Sequence, residues 1–184
     1  MLTPEQRSRL LDVARTTIAA VLDGRRADWR AEEFDEELRR PSGVFVSLHK
    51  RGELRGCIGS IHPVAPLFQA VSSSAINAAF RDPRFDSLDK EELAAVDIEI
   101  SVMSPIEPVT NVDDILPGRD GLIISRGRQA GLLLPQVATD YGWDRETFLC
   151  QTCRKAGLPM DAWRSPEVRI ERFSAEVFGE HPRV

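Results

Sequence analysis

Val44-Phe45-Val46-Ser47-Leu48 and Leu54-Arg55-Gly56-Cys57-Ile58-Gly59 are β-rich runs, separated by the polar spacer His49-Lys50-Arg51-Gly52-Glu53. That spacing predicts a hairpin with Gly52 at its turn. β-branched and aromatic side chains suit a pleated, half-buried surface, so both runs are expected as central strands. The second run sets a free cysteine beside an arginine and between two glycines. A nearby guanidinium favours the nucleophilic thiolate, and flanking glycines let a backbone or a ligand approach closely. Free cysteine is also among the most buried residue types and often simply fills a core. Residue type alone therefore leaves both readings of Cys57 open.

Outward from this hairpin the chain alternates helices and strands. Thr3 caps a helix with Pro4 in its first position and Gln6 completing a capping box, and Leu10, Ala14, Ile18 and Val21 recur on one face to about Asp23. Glu32 to Arg40 is charge-rich with Phe34 and Leu38 as apolar anchors, a solvated loop or short helix. Pro63 to Arg81 reads as a helix with a small-residue face at Leu67, Val71, Ala75, Ala78 and Ala79, closed by Asp82-Pro83. Asp97 to Met103 alternates strictly, with Ile98, Ile100 and Val102 on one face and Asp97, Glu99 and Ser101 on the other.

Gly121 to Ser125 and Ala130 to Leu134 form a second hairpin around Arg126-Gly127-Arg128-Gln129, and a helix begins at Pro135. Asp144 caps a helix from Arg145 to Ala156, Gly157 ends it, and Val168 to Phe178 is a last strand. No linker or fixed-period repeat divides the chain, so the expected class is α+β with mostly antiparallel pairing.

The 184 residues, 42% of them apolar, are enough for one substantial core or two small packed subdomains. A net charge of −5 gives no global field to attract phosphate backbones, so nucleic acid is not the expected partner, although a local basic groove remains open. No apolar run approaches the roughly 18 residues of a membrane span. The opening Met1-Leu2-Thr3-Pro4-Glu5-Gln6 reads as a helix start rather than a signal peptide. Cys57, Cys150 and Cys153 do not make a disulfide framework, which agrees with a reducing, cytoplasmic setting.

A nucleophilic Cys57 needs a base within reach. If the loop is Lys50 to Gly52, His49 pairs with Glu53 and lies four residues along the strand from Cys57, about 13 Å away and beyond hydrogen-bond reach. His62 follows the strand end, and His181 reads as a surface residue. Arg55 is the better partner, since residues two apart on a strand share a face, with Glu99 or Asp97 as its expected counter-ion. Arg84, in Arg81-Asp82-Pro83-Arg84-Phe85, is expected beside Arg55 as half of a small anion-binding pocket, with turn-making the competing role for Asp82. Cys150-Gln151-Thr152-Cys153 sits inside a helix rather than at a helix start, which favours two core-facing cysteines over a redox or zinc pair. The sequence carries no nucleotide-loop, zinc-protease or nucleophile-elbow motif, and we assign no cofactor and no metal.

Several blocks in this order resemble the AMMECR-type domain, known in prokaryotes as AmmeMemoRadiSam system protein A. They are Phe45 to Leu48, Leu54 to Gly59, Ala78 to Phe85, Asp97 to Val102, Gly131-Leu132-Leu133-Leu134-Pro135-Gln136-Val137, and Cys153 to Leu158. The resemblance covers nearly the whole chain. It implies a single α+β domain of two packed subdomains with a cleft between them, the L-R-G-C-I-G segment being the proposed functional site. It marks Arg55, Gly56, Cys57, Gly59, Asp82, Arg84, Glu99 and Gln136, and it supplies no reaction. The family name records gene association with a Memo-like protein and a radical S-adenosylmethionine enzyme, which implies a shared pathway. The expected role is a cytosolic pathway component that binds a small or peptide-borne substrate around Cys57. The alternative is a non-catalytic adaptor of the same pathway.

Overall fold

The computed structural model describes residues 1–181, which divide into two compact units, residues 1–103 with 176–181 and residues 104–175.

In the first unit, α1 (Pro4–Leu22) carries the predicted capping box, Thr3 accepting from the Gln6 amide while the Gln6 side chain accepts from Thr3. The charged segment after it holds a short 3-10 turn at Ala31–Glu33 and α2 (Glu36–Arg39). β1 (Val44–Lys50) and β2 (Glu53–Ser60) form the predicted hairpin. Its turn is only Arg51-Gly52, both at positive φ, so Lys50 rather than His49 faces Glu53. Two successive residues at φ > 0 make the turn whose twist suits a tight hairpin.

α3 (Leu67–Phe80) begins four residues later than the expected Pro63, because a residue before proline is pushed out of the helical region and Ala65 precedes Pro66. α4 (Lys90–Leu93) was not expected, and Asp89 caps it by accepting from the Glu92 amide. β3 (Val96–Met103) pairs with β1, giving the order β2-β1-β3. Val44, Val46, Leu48, Ile98 and Ile100 are buried on one face of this sheet. They share a core with Leu10, Val13, Ala14 and Ile18 of α1 and Phe68, Val71, Ala75 and Ala78 of α3.

In the second unit, β4 (Glu107–Pro108) precedes the hairpin of β5 (Asp120–Arg126) and β6 (Gln129–Leu133). α5 (Pro135–Asp140) starts at the expected proline. α6 (Arg145–Lys155) is capped by Asp144 and ends at Gly157, which has φ +73°. β7 (Arg169–Gly179) pairs with β4 and β5 through residues of this unit, and its last residues belong to the first unit. Ile115, Leu122, Ile124, Phe148, Leu149, Cys153 and Ile170 form the second core. The α+β class with antiparallel pairing is thus as the sequence implies.

Candidate functional site

The position of Cys57 is set by one irregularity in the β1–β2 hairpin. Glu53 and Leu54 pair with Lys50 and His49, and then the register shifts, so that Gly56 faces Leu48 and Cys57 faces Ser47. Arg55 is the additional residue on its strand. Such a bulge moves every later side chain to the opposite face. With the turn register continued, Cys57 would face Val46, which is fully buried. With the bulge it faces Ser47, whose hydroxyl lies 3.1 Å from the thiol as donor to sulfur. Cys57 is half-buried and stands outside the apolar core of its unit, whereas Cys153 is fully buried within the other.

The same bulge separates Arg55 from Cys57. The expected shared face is not observed, and the counter-ion is neither Glu99 nor Asp97. Glu92 of α4 receives the Arg55 guanidinium in a two-pronged pair, at 3.2 Å from Nε and 2.8 Å from Nη2, and the Lys50 ammonium at 2.7 Å. Arg55, and then Lys50, hold the Glu92 carboxyl down to about 2. Glu92 in turn raises the Arg55 pKa. Arg55 Nη1 is buried without a hydrogen-bond partner, and its guanidinium lies 6.0 Å from the centre of the Phe85 ring. Sequence reasoning missed Glu92, although Asp89-Lys90-Glu91-Glu92 carries the signature of a capped helix start.

Asp82 and Arg84 act on the main chain of Cys57. β2 is an edge strand, and an edge exposes unpaired amides and carbonyls. At Cys57 both are occupied: the amide donates to Asp82 Oδ2 at 2.9 Å, and the carbonyl accepts from Arg84 Nη2 at 3.2 Å. Asp82 and Arg84 also grip each other, with Nε and Nη2 at 2.9 and 2.7 Å from the two carboxylate oxygens. Asp82 is 3% exposed. The Arg84 guanidinium, aided by the Cys57 and Arg84 amides, holds its carboxyl far below the usual carboxylate range. The D-P-R segment is therefore both the expected turn and a clamp on the cysteine.

Arg55 and Arg84 line one surface pocket of about 640 Å³, with Phe85 between them. It is not the free anion pocket expected, because each guanidinium already holds a carboxylate and Asp86, Asp89 and Glu92 line the same space. The two glycines of the run serve packing. An added Cβ on Gly56 would lie 2.2 Å from the Ala78 carbonyl oxygen of α3, and one on Gly59 would lie 2.1 Å from the Val44 carbonyl oxygen.

On the face shared by Cys57 and Ser47, β3 places Glu99 directly opposite Ser47. His49 lies two residues beyond Ser47 with Nε2 3.9 Å from Glu99 Oε1. The observed register makes His49 a diagonal neighbour of Cys57, a relation that puts two residues roughly 7–8 Å apart. The sequence-based separation of about 13 Å rested on pairing His49 with Glu53 and is corrected accordingly. Thiol, hydroxyl, carboxylate and imidazole thus share one sheet face.

Gln136 belongs to the second unit, on α5, where its Oε1 is buried without a partner. His181 is exposed and bonds Asp97 at 2.9 Å. Cys150 is half-buried on α6, and burial pushes the Cys153 thiol up. Among the described residues no group of three or more His, Cys, Asp or Glu side chains is arranged to hold a metal ion. Among the described residues no helix is long and apolar enough to cross a membrane.

Comparison with known proteins agrees with this architecture. A protein of Methanothermobacter thermautotrophicus is 46% identical over 97% of this chain and 96% of its own length. Protein MJ0810 of Methanocaldococcus jannaschii is 41% identical over 98% and 92%. The crystal structure of the uncharacterized protein PH0010 from Pyrococcus horikoshii superposes with a TM-score of 0.81 at 40% identity, covering 95% of this chain and 92% of that one. The family model AMMECR1 matches residues 11–178, and with relatives this similar over nearly their full length the chain belongs to the AMMECR1 family.

Proposed function

We propose that the first unit holds a thiol-centred site in which Cys57 meets a small or peptide-borne substrate, as nucleophile, carrier or ligand contact. One observation carries this reading: Cys57 is locked through both of its main-chain polar atoms while its thiol bonds Ser47, on the sheet face that also carries Glu99 and His49, instead of filling the core. A cysteine that only filled space would need neither a buried carboxylate on its amide nor a hydroxyl on its sulfur. Arg55, Gly56, Gly59, Asp82 and Arg84 shape this site, and Glu99 supplies charge on its polar face. The activity class is cysteine-dependent transfer or modification. We place the protein in the cytoplasm, in a pathway shared with a Memo-like protein and a radical S-adenosylmethionine enzyme, on the strength of the family's gene association.

Native alkylation with iodoacetamide, followed by peptide mass spectrometry, tests the reading. Cys57 is expected to label in the folded protein while Cys153 labels only after denaturation. Labelling of Cys57 no faster than Cys153 would remove a reactive thiol from the account. A second reading, as a non-catalytic adaptor, is favoured by the closure of Arg55 on Glu92 and of Arg84 on Asp82, which turns these charges inward. Copurification of a Memo-like partner with both the wild type and Cys57→Ser would support the adaptor.

A further inference from the structure

The geometry points to a second ligand site, on the second unit at the C-terminal end of α6, for a ligand built of a planar aromatic ring and a phosphate, such as a nucleoside monophosphate. A pocket of about 320 Å³ is lined by Leu133, Trp143, Gln151, Arg154 and Lys155. That is the lower end of the roughly 300–1,000 Å³ usual for ligand sites. Trp143 forms one wall, and its ring stacks on Tyr141 with centroids 4.9 Å apart and planes 16° from parallel. Tyr141 is 70% exposed, so a large aromatic pair stands at the surface beside the pocket. A planar base extends such a stack, because each ring offers a π face to the next.

The charge of this region is the second, independent observation. Arg154 and Lys155 are exposed at the pocket rim. Arg126 and Arg128 flank Gly127 in the β5–β6 turn, which is tied to the helix end by Gln129 Nε2 donating to the Gly157 carbonyl at 2.8 Å. β6 lies close enough to α6 that a Cβ on Gly131 would stand 2.3 Å from the Ala156 nitrogen. Among the described residues none of these four cations has an ion pair, whereas Arg119, Arg145, Arg164, Arg169 and Arg172 of the same unit each hold a carboxylate. Arg154 and Lys155 complement the helix dipole, a role that the two turn arginines do not share. Of the four, Arg154 and Lys155 line the pocket itself, and a guanidinium and an ammonium beside an aromatic wall suit a phosphate and a ring on one ligand. Gln151 also lines the pocket, and a side-chain amide can both donate to and accept from the edge of a base.

The test titrates the full chain with AMP, following tryptophan fluorescence and calorimetry, with adenosine and inorganic phosphate as half-ligands. AMP is expected to bind saturably and more tightly than either half, with affinity falling as salt rises. Arg154→Ala/Lys155→Ala, on an exposed rim where folding is not at stake, is expected to weaken binding about tenfold or more, and Trp143→Phe to weaken it less. No saturable binding at millimolar AMP, or equal affinity in the double variant, overturns the proposal. Binding of a single-stranded RNA oligomer without binding of AMP overturns it too. None of these outcomes bears on the reading of Cys57, which lies in the other unit.

Discussion

Asp82→Ala isolates the clamp on Cys57. The substitution removes the acceptor of the Cys57 amide and both charged hydrogen bonds from Arg84. Arg84 is 55% exposed and regains water once released, so its lost attraction is discounted heavily. The uncompensated part is the edge amide of Cys57, and an unsatisfied buried donor costs about 1–3 kcal/mol. Opening of the β2 edge at Cys57 should therefore become about 5- to 150-fold more frequent. Hydrogen exchange of the peptide spanning residues 54–60, read by mass spectrometry, reports that opening locally and does not require the two units to unfold together. Asp82→Asn keeps an oxygen for the amide and should fall between Ala and wild type.

The clamp also has a pH sign. The Asp82 pKa is lowered in the fold, so its stabilisation is present above the unfolded value of about 3.9 and lost as pH falls toward the folded value. Opening at Cys57, read as exchange relative to the intrinsic rate at each pH, should thus rise on acidification in the wild type in a way that Asp82→Asn does not show. Equal protection at Cys57 in wild type and Asp82→Ala at neutral pH would refute the assignment.

Gly56→Ala forces a Cβ against the Ala78 carbonyl and should destabilise the protein by about 3 kcal/mol, seen as a lowered urea midpoint; a change below about 0.5 kcal/mol would show that α3 gives way freely. Glu92→Gln should flatten the acid dependence of stability, because the wild-type contribution is complete above about pH 4.5 and fades toward pH 2; acid unfolding followed by circular dichroism is the measurement. Gln136→Met removes a buried oxygen without a partner and should be neutral or stabilising by thermal melting; a loss above about 2 kcal/mol would mean the amide is satisfied in the folded protein.

The helix and strand pattern was legible because local physics writes it. The Thr3 and Asp144 caps, the alternation of Asp97 to Met103 and Gly157 after the last helix each act within a few residues. The late start of α3 was legible too, had the effect of Pro66 on Ala65 been weighed against apolar periodicity. Glu92 was harder, since its partners Arg55 and Lys50 are 37 and 42 residues away, although its helix carries a capping signal. The family, the hallmark run and the nomination of Asp82 and Arg84 came from sequence. Their joint hold on the Cys57 main chain did not.

By itself the sequence determined most of the elements, a hairpin with Gly52 at its turn, and the presence of a cysteine, an arginine and two glycines on one strand. Only the tertiary structure decided which way each side chain faces. The residue step in a strand has period two, so one additional residue reverses every assignment beyond it. The bulge at Arg55 takes Cys57 off the register of buried Val46 and sets it against Ser47, and leaves Arg55 to Glu92. No local pattern marks that bulge. It goes with the tight Arg51-Gly52 turn that joins β1 to β2, the pairing of β1 with β3 on its other side, and the close approach of Ala78 to Gly56.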